Sequence, residues 1–400
     1  APSRACLMSG MYATAHGLFT VGSPERGDPR TRRIIPARNA DSLAHEFYTL
    51  AEAMKDRGYA TVNIGKWHLG KDPRTQGMDA NVGGSVWGHP GSYFAPYKKP
   101  DLKAPEGEYL TDRLTEEALS YIRENQEDPF FLYLPYYAVH TPIQAKPALE
   151  EKYREKGGVN CQSNAAYAAM VENLDRCIGL LLKQVDDLGL GERTLVIFTS
   201  DNGVIRRISC QDPLRAGKGS YYEGGIRVPL VFRWPGKIEA GSLSNQALIN
   251  LDFYPTLMDI SGGALTDQKL DGLSLWPLLS GHTRKLKERP LFFHFPIYLQ
   301  AYRAGYDDGR DPLFRTRPGS VIREGNWKLH YFYEDGAVEL YNLSDDPGET
   351  MDLSNINTSK SEELLDRLKA WLAEEHAPVN FEENLEFDAA FEARKIREIH

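Results

Sequence analysis

Three apolar segments of this sequence are each followed directly by residues whose side chains could take part in catalysis. TVNIG runs into Lys66 and His68, FFLYLPYYAV runs into His140, and TLVIFTS runs into Asp201 and Asn202. Lys66 and His68 are two apart, so in extended backbone their side chains share a face. In open α/β sheets, ligands bind beyond the carboxyl ends of the strands. If these segments are strands of one sheet, the five side chains converge on one site.

Each of these segments also has a purely structural interpretation. His140 could be an edge histidine with satisfied hydrogen bonds, and Lys66 and His68 could form a solvated strand end. The SDNG run is a good turn, because Asp and Asn hydrogen-bond locally and Gly permits a positive φ. The occurrence of all three at equivalent places in the pattern favours a joint site.

A fourth segment, LRAGKGSYYEGGIRVP, places Lys218 between two glycines, which allow close approach of a backbone or a ligand. It is not a P-loop, because Asp212 stands where that pattern requires its first Gly, and Gly219 where it requires Ser or Thr. A flexible surface lysine is the alternative. The run EGGIRVP, which leads into a strand, favours a fixed loop directed at the site.

The surrounding pattern alternates helices with strands. Apolar residues at steps of three and four predict helices over 41–57, 109–124 and 163–188, with Gly58 ending the first and Ser163 capping the last. The segments YATVNIG, PFFLYLPYYAV, TLVIFT, VPLVFRW and PLFFHF are typical of strands. Several are apolar throughout, which favours a mostly parallel sheet covered on both faces.

The last part of the chain has a different pattern. GSVIREGNWKLHYFYEDGAVELYNL contains short strands joined by turns, which predicts an antiparallel meander followed by a helix over about 360–375. We therefore predict an α/β protein with a mostly parallel central sheet sandwiched by helices in residues 1–300. A small C-terminal subdomain of antiparallel sheet plus helix follows in residues 315–400. The polar, Gly-rich stretch near 290–315 marks the boundary.

Composition limits the classes of function. The 400 residues carry a net charge of −9 and are 41% hydrophobic, as in ordinary globular proteins. The acidic balance argues against general nucleic-acid binding, and no apolar run approaches the roughly 18 residues needed to span a bilayer. The four cysteines have no metal-type spacing. A disulfide between Cys161 and Cys210 is possible, but free buried thiols are the favoured interpretation.

With these residues identified, the chain resembles the formylglycine-dependent sulfatases of the alkaline phosphatase superfamily. The first signature of that family is Cys or Ser, any residue, then Pro-Ser-Arg and a Thr/Ser-Gly turn; this chain begins APSR and continues to MSG. GYATVNIGKWHLG matches the second signature. The later elements HTP, SDNG, GKG with EGGIRVP, and WKL with ELYNL and DPGE match in family order. Each motif alone is weak, but together they are highly specific.

The resemblance implies a nucleophile in the position directly before Ala1. In the family this Cys or Ser is oxidised to formylglycine by a maturation enzyme. The family also has an upstream strand with an Asp-Asp pair that binds metal. We therefore expect a sulfatase shortened at its N-terminus just after the nucleophile. Because an internal parallel strand would then be missing, we expect these 400 residues alone to fold poorly or to have little activity.

The resemblance also implies roles for the charged residues. Asp201 and Asn202 would be ligands of one calcium ion, since their oxygen donors suit a hard divalent cation. Arg4 would hold the aldehyde hydrate and help to balance the carboxylates of the metal site. Lys66 and Lys218 would bind sulfate oxygens as point charges.

The histidines would move protons and contact the substrate. By resemblance, His140 would protonate or hydrogen-bond the departing oxygen, and His68 would take a proton from the hydrate. The loop NVGGSVWGHPGSYFAPY is rich in aromatic residues, which either stack on a sugar or pack the loop, and His89 within it is our predicted substrate contact. Arg206 and Arg207 could meet a second sulfate or a uronate, although a solvated pair is the favoured interpretation.

Together these features predict a sulfatase that hydrolyses a sulfate ester, of a sulfated sugar or polysaccharide, in the periplasm or outside the cell. The expected partners are the saccharide sulfate ester and the maturation enzyme, with neither nucleic acid nor membrane. Two alternatives stay open. One is a phosphonate or phosphodiester hydrolase of the same superfamily, and the other is a catalytically inactive relative that binds sulfated glycans.

Overall fold

The computed structural model describes residues 1–263 and 267–399, and within them the chain forms eleven α-helices and eleven β-strands. The helices are α1 (Pro2–Ser9), α2 (Ala13–His16), α3 (Leu50–Asp56), α4 (Leu110–Glu124), α5 (Pro147–Lys156), α6 (Ala165–Asp187), α7 (Glu223–Ile226), α8 (Phe253–Ile260), α9 (Trp276–Leu279), α10 (Thr358–Glu374) and α11 (Ala389–Arg397). The strands are β1 (Ala60–Ile64), β2 (Ala80–Val82), β3 (Phe130–Tyr133), β4 (Val196–Thr199), β5 (Leu230–Arg233), β6 (Leu291–Phe295), β7 (Leu299–Gln300), β8 (Phe314–Thr316), β9 (Gly319–Glu324), β10 (Trp327–Phe332) and β11 (Val338–Asn342). None of the described helices is both long and apolar enough to cross a bilayer.

Strand β1 is the centre of a three-stranded parallel sheet of order β2-β1-β3. Asn63 pairs with Asn81 on one side and with Tyr133 on the other. The β-branched sequence of β1 suits a pleated strand, and four of its five residues are buried, as expected for a parallel strand covered on both faces. Val62 and Ile64 pack in one apolar cluster with residues of α4. The α/β class with a parallel sheet flanked by helices is therefore confirmed.

Two helix predictions are confirmed and one is half wrong. Helices α4 and α6 lie where the periodicity predicts them, but Asn164 caps α6 in place of Ser163, its side chain accepting from the amide of Tyr167 at 3.0 Å. The helix predicted over 41–57 begins only at Leu50. Thr49 starts it, because its hydroxyl and the side chain of N3 residue Glu52 form a reciprocal capping box.

The residues before Thr49 are drawn away from the helix by the neighbouring loop. Leu43 is buried, its amide donates to the carbonyl of Leu69 at 2.9 Å, and its own carbonyl accepts from Gln76 at 3.0 Å. The apolar step of four residues from Leu43 to Phe47 therefore reflects packing of an irregular segment and not a helical face.

The strand at TLVIFT does not extend the parallel sheet. It forms β4, which pairs antiparallel with β5 in a separate two-stranded sheet, with Val196 opposite Arg233 and Thr199 opposite Leu230. The strand at PFFLYLPYYAV is also shorter than expected, since β3 ends at Tyr133 before the proline at 135. The parallel part of the fold is therefore smaller than the sequence pattern suggests.

The C-terminal region is a four-stranded antiparallel sheet of order β11-β10-β9-β6 covered by α10. The predicted meander and helix are thus present. Leu364 and Leu368 of α10 pack against Leu329 and other apolar residues of the sheet. Strand β6 comes from the predicted 1–300 region, yet it pairs with β9 of the C-terminal region. The two parts of the chain therefore share one sheet.

One expectation about the cysteines is wrong. Cys161 and Cys210 form a disulfide, with their Cα atoms 5.7 Å apart, while Cys6 and Cys177 are free. The two half-cystines are 49 residues apart and belong to loops that follow α5 and β4. Their proximity depends on how α5, α6 and β4 pack, so the linear spacing carried no signal of it.

Candidate active site

Lys66 and His68 follow β1 directly after Gly65, and this position accepts only glycine. At Gly65 the backbone has a φ of 114°, and an added Cβ would lie 2.4 Å from the carbonyl oxygen of Pro135. This close approach lets the amide of Lys66 donate to the same carbonyl at 2.8 Å. Lys66 is consequently almost fully buried, with 5% of its surface exposed. Burial, and then the charge of Arg4, lower the pKa of Lys66 well below its usual value.

His68 is held between β1 and the following aromatic loop. It adopts a left-handed φ of 64°, and its amide donates to Ser85 at 2.8 Å. A Cβ on Gly88 would lie only 2.4 Å from Cε1 of the His68 ring, so the loop backbone packs directly on the imidazole. Burial, followed by nearby positive charges that include Lys66, lowers the pKa of His68 to about 2. The ring is therefore neutral at physiological pH, and its Nδ1 is buried with no hydrogen-bond partner in the described structure.

Asp201 joins the turn after β4 to the N-terminal helix. Its Oδ2 lies 2.8 Å from Nη1 of Arg4, which is buried on α1. Burial alone would raise the pKa of Asp201, but the charges of Arg4 and then Lys66 outweigh it and hold that pKa below its usual range. Asn202 follows, with its Nδ2 donating to the carbonyl of Gly203 at 3.3 Å. The site thus contains a permanently ionised carboxylate beside an amide side chain.

The lysine between two glycines lies on a fixed loop. The amide of Lys218 donates to the carbonyl of Val204 at 2.8 Å, and a Cβ on Gly217 would lie 2.3 Å from that same oxygen. The loop carrying Lys218 therefore packs against the chain that follows Asn202. Burial lowers the pKa of Lys218, while Asp201 partly offsets this effect.

His140 and His89 form a stacked pair beside these charges. Their ring centroids are 6.1 Å apart with an interplanar angle of 12°. The Nδ1 atoms lie 2.9 Å from the carbonyl of Thr141 for His140 and 3.0 Å from that of Pro90 for His89. Because a carbonyl only accepts, each Nδ1 carries the proton, which leaves each Nε2 as an acceptor in the neutral ring. Burial, and then Lys218, lower the pKa of His140 to about 4.

A buried ionic network behind the Lys218 loop was not assigned a role from the sequence. Lys328 on β10 is completely buried, with Nζ 3.0 Å from Glu223 and 2.9 Å from Glu349, and His330 Nε2 lies 3.0 Å from the same Glu349 oxygen. The amide of Glu223 donates to the other Glu349 oxygen at 2.5 Å. These residues belong to the EGGIRVP, WKLH and DPGE motifs. Because the motifs are far apart along the chain, the sequence pattern does not show that they are in contact.

That network supports both halves of the site. Glu223 begins α7, and Gly225 in that helix accepts a hydrogen bond from the amide of Gly203 at 3.0 Å. A Cβ on Gly203 would lie 1.8 Å from the carbonyl oxygen of Gly224, so the two backbones are in direct contact. The turn after Asn202 is therefore braced by the helix that Glu223 and Lys328 hold in place.

The candidate ligands for a metal ion are the side chains of Asp201 and Asn202. Asp201 and Asn202 offer one carboxylate and one amide oxygen, which are donors that hard divalent cations prefer. Within the described residues, the one geometric cluster of three ligating groups is Cys161, Cys210 and Asp212. Because its two sulfurs form the disulfide, it is not a metal centre. Carboxylate and amide oxygens of this kind fit a hard divalent cation such as calcium in their chemistry.

The structure brings the sequence-predicted residues together around Asp201. Electrostatic contact links it to Arg4, Lys66 and Lys218, and the stacked histidine pair lies beside Lys218. Two lysines, an arginine, a carboxylate and the neutral rings of His68 and His140 therefore lie close together, a group of side chains suited to an oxyanion. For Asn202, the contacts show a position next to Asp201 but no link to the other site residues.

Comparison with known proteins identifies the class to which this chain belongs. The family model described as "Sulfatase" matches residues 1–263, and the model described as "N-sulphoglucosamine sulphohydrolase, C-terminal" matches residues 217–377. The chain therefore belongs to the sulfatase family of sulfuric ester hydrolases.

Individual relatives agree with this assignment. A protein named "Sulfatase" from Formosa agariphila is 33% identical, with 94% of this chain and 80% of the relative covered. Arylsulfatase A of Homo sapiens is 30% identical over 92% of this chain and 76% of its own length. Among solved structures, Ps i-CgsB in complex with k-i-k-neocarrahexaose has a TM-score of 0.72 at 28% identity, covering 92% of this chain and 81% of that one.

Proposed function

We propose that this protein hydrolyses a sulfate ester carried by a sulfated sugar or polysaccharide. The observation that carries the proposal is the convergence of Arg4, Lys66 and Lys218 on one buried carboxylate, Asp201. Family membership supports the reaction class, and the similar structure of Ps i-CgsB is a complex with k-i-k-neocarrahexaose.

Lys66 and Lys218 are the residues that would bind the non-bridging oxygens of the sulfate. Burial makes both ammonium groups costly to keep charged in the free protein, because little water solvates them. A bound anionic ester supplies the stabilisation that the missing water does not, and it favours the charged form of both lysines. The same two cations would then stabilise the negative charge that develops on the sulfate oxygens during cleavage.

Asp201 and Asn202 would hold the calcium ion that the family uses. When bound, such an ion neutralises the charge of the sulfate and polarises its oxygens. Arg4 has a second task here, because it compensates the Asp201 carboxylate and its own Nε is buried without a hydrogen-bond partner in the described structure. That free donor points to a further polar group at the site.

Formylglycine in the position before Ala1 would supply the nucleophilic hydroxyl. Ala1 directly precedes α1, which carries Arg4, so a residue in the position before it would lie close to that arginine. The unpartnered Nε of Arg4 is suited to donate to it.

The two neutral imidazoles would handle the protons. His68 would accept a proton at its unpartnered Nδ1, since burial keeps the free ring unprotonated. His140 would serve the departing sugar oxygen through Nε2, the nitrogen left free when Nδ1 bonds to Thr141. His89, stacked on His140, would contact the sugar itself.

The proposed compartment is periplasmic or extracellular. The disulfide between Cys161 and Cys210 supports it, because such bonds persist in oxidising environments and are rare in the cytosol. A formylglycine-generating maturation enzyme is the partner this function requires.

Sulfate release from a panel of sulfated carrageenan and glycosaminoglycan disaccharides tests the proposal with the purified protein. We expect turnover by the wild type and a loss of about 100-fold or more in kcat/KM for Lys218→Ala. Lys237→Ala, a change in a loop after β5, is the matched control and should behave as wild type.

Two results would contradict the proposal and identify the alternatives. Hydrolysis of phosphate diesters or phosphonates with no release of sulfate would indicate the phosphoester branch of the superfamily. Saturable binding of sulfated disaccharides without turnover, together with an unmodified Cys or Ser by mass spectrometry, would indicate a glycan-binding relative.

A further inference from the structure

A narrow surface cleft lies beside Lys218. Three cationic residues line it, Lys218, Arg206 and Arg315. Tyr302, from the loop that follows β7, forms another wall. Arg4, Lys66 and the histidines are not among its lining residues, and Lys218 is the residue that it shares with the candidate active site.

Arg315 gives the pocket a buried positive charge that no carboxylate neutralises directly. Its guanidinium donates through Nη1 to the carbonyl of Lys218 at 3.1 Å and through Nε to that of Gln300 at 2.9 Å. It also stacks on the ring of Tyr302 at 3.7 Å. Over the described residues, no carboxylate oxygen lies within 4.0 Å of it. Arg315 therefore fixes the Lys218 backbone and contributes a permanent positive charge.

Arg206 has hydrogen-bonding capacity to spare. Its closest carboxylates, of Asp308 and Asp212, are 3.6 and 3.8 Å away, beyond a good hydrogen bond. Its Nη1 is buried and has no hydrogen-bond partner in the described structure. Leaving a buried charged donor unsatisfied is unfavourable, and a bound oxyanion would relieve it.

The acidic group of the pocket is already engaged elsewhere. Asp307 is buried, and its Oδ2 accepts from the amides of Tyr302 at 2.5 Å and Arg303 at 3.4 Å. These hydrogen bonds fix the Asp307 carboxylate in the turn of the loop, where it partly offsets the charge of Arg315.

We propose that this pocket is a subsite for a second oxyanion of the glycan, a sulfate or carboxylate adjacent to the sulfate that is cleaved. The inference rests on the proposed function, because the two groups would share Lys218. The planar guanidinium of Arg206 matches either oxyanion through paired hydrogen bonds, and the ring of Tyr302 gives the sugar an apolar wall. The enzyme thus prefers polyanionic substrates over those with a single sulfate.

Steady-state kinetics of Arg206→Ala on matched disaccharides tests this subsite. The substrates carry the cleaved sulfate alone, with a second sulfate, or with a uronate carboxylate. We expect KM for one or both dianionic substrates to rise about tenfold, the loss of one charge-assisted bond, with kcat unchanged and the singly sulfated substrate unaffected. Arg206→Lys, which keeps the charge, should lie between the two. Lys237→Ala, at an exposed position in the loop after β5, is the control.

The outcomes separate this inference from the proposed function. If Arg206→Ala weakens singly and doubly charged substrates equally, or if Arg206→Lys is as poor as Ala, the subsite does not exist. If the wild type shows no preference for a second anion, the inference is also overturned, while sulfate release still upholds the proposed function. If no substrate is desulfated, the proposed function itself fails. The dianionic substrate that responds distinguishes a sulfate site from a carboxylate site.

Discussion

The contact between Gly88 and His68 shows how the backbone of a glycine can position a side chain with a proposed role in catalysis. The backbone of Gly88 lies against the imidazole, and any Cβ there would overlap Cε1 at 2.4 Å. Burial also lowers the pKa of His68 and keeps its ring neutral. A methyl group at Gly88 would therefore act on the position of the ring. The position of the His68 ring therefore depends on the backbone of the aromatic-rich loop, whose rings could also stack on a sugar.

Gly88→Ala should lower kcat for sulfate release by about 100-fold, because the methyl group would displace the imidazole by a fraction of its own size. Gly179→Ala on α6 is the control, since its Cβ would meet nothing within 4 Å and alanine favours a helix. Kinetics and thermal melting of both variants check this. Normal kcat in Gly88→Ala would show that the loop backbone does not position His68.

At the scale of elements, the disulfide and the buried Lys328 network hold loops that the sheets alone would leave free. Cys161 and Cys210 tie the loop after α5 to the chain that carries Arg206. Lys328 joins β10 to the start of α7 through Glu223, and to the DPGE turn through Glu349. Both devices stabilise segments that contribute directly to the candidate site.

Replacing both Cys161 and Cys210 by serine should lower the free energy of unfolding by about 4 kcal/mol, from the entropy of a loop closed over a separation of 49 residues. Denaturant unfolding with and without reductant measures this. Reductant should reproduce the loss in the wild type and have no effect on the double variant. An unchanged wild type under reducing conditions, with its thiols shown to be free, would contradict the prediction.

Glu349 should make folding sensitive to acid. Burial by itself opposes its ionisation, but Lys328 and then His330 prevail and lower its pKa to about 2, from a usual 4.5. A carboxyl whose folded pKa is depressed contributes stability that is complete above pH 4.5 and is lost as pH falls toward 2. The contribution is about 3 kcal/mol.

The difference in unfolding free energy between wild type and Glu349→Gln should therefore shrink as pH falls from 5 to 3. Denaturant titrations across this range measure it. Glu288→Gln, at an exposed position, is the control and should show a small difference at every pH. A constant gap for Glu349→Gln would mean that the carboxylate is not ionised by its neighbours.

On the scale of the whole molecule, one arginine joins three distant parts of the chain. Arg317 is buried and bonds Asp311 at 2.5 Å, Glu334 at 2.9 Å and Glu392 of α11 at 2.9 Å. It also donates to the carbonyl of Thr31 at 3.1 Å. The N-terminal third, the antiparallel sheet and the last helix are therefore fastened at a single point.

Arg317→Met should destabilise the protein by about 3–5 kcal/mol, because it leaves carboxylates buried without their cation. It should also expose the C-terminal segment to protease before the rest unfolds. Arg394→Met is the control, because Arg394 is exposed on α11, the helix that carries Glu392. This change should have little effect. Limited proteolysis and thermal melting measure both. Equal behaviour of the two variants would show that the Arg317 cluster does not secure the C-terminus.

Much of this architecture follows from local pattern. Helices α4 and α6, strand β1 and the C-terminal meander were predictable because apolar periodicity, β-branched residues and turn residues all agree there. The helix at 41–57 was overestimated because the loop at Leu69 and Gln76 competes for Leu43. The apolar pattern also could not predict strand direction, because β4 and β5 are as apolar as a parallel strand but pair antiparallel.

The sequence by itself determined the residue types of the site and their attachment to strand ends, because motif order and glycine spacing are local properties. Membership of the sulfatase family follows from the same motifs and is confirmed by the comparisons. Only the tertiary structure decided which side chains meet. The disulfide, the Lys328 network and the Arg206 pocket each join segments dozens to more than a hundred residues apart. Their contacts arise from packing in three dimensions, for which linear spacing holds no information.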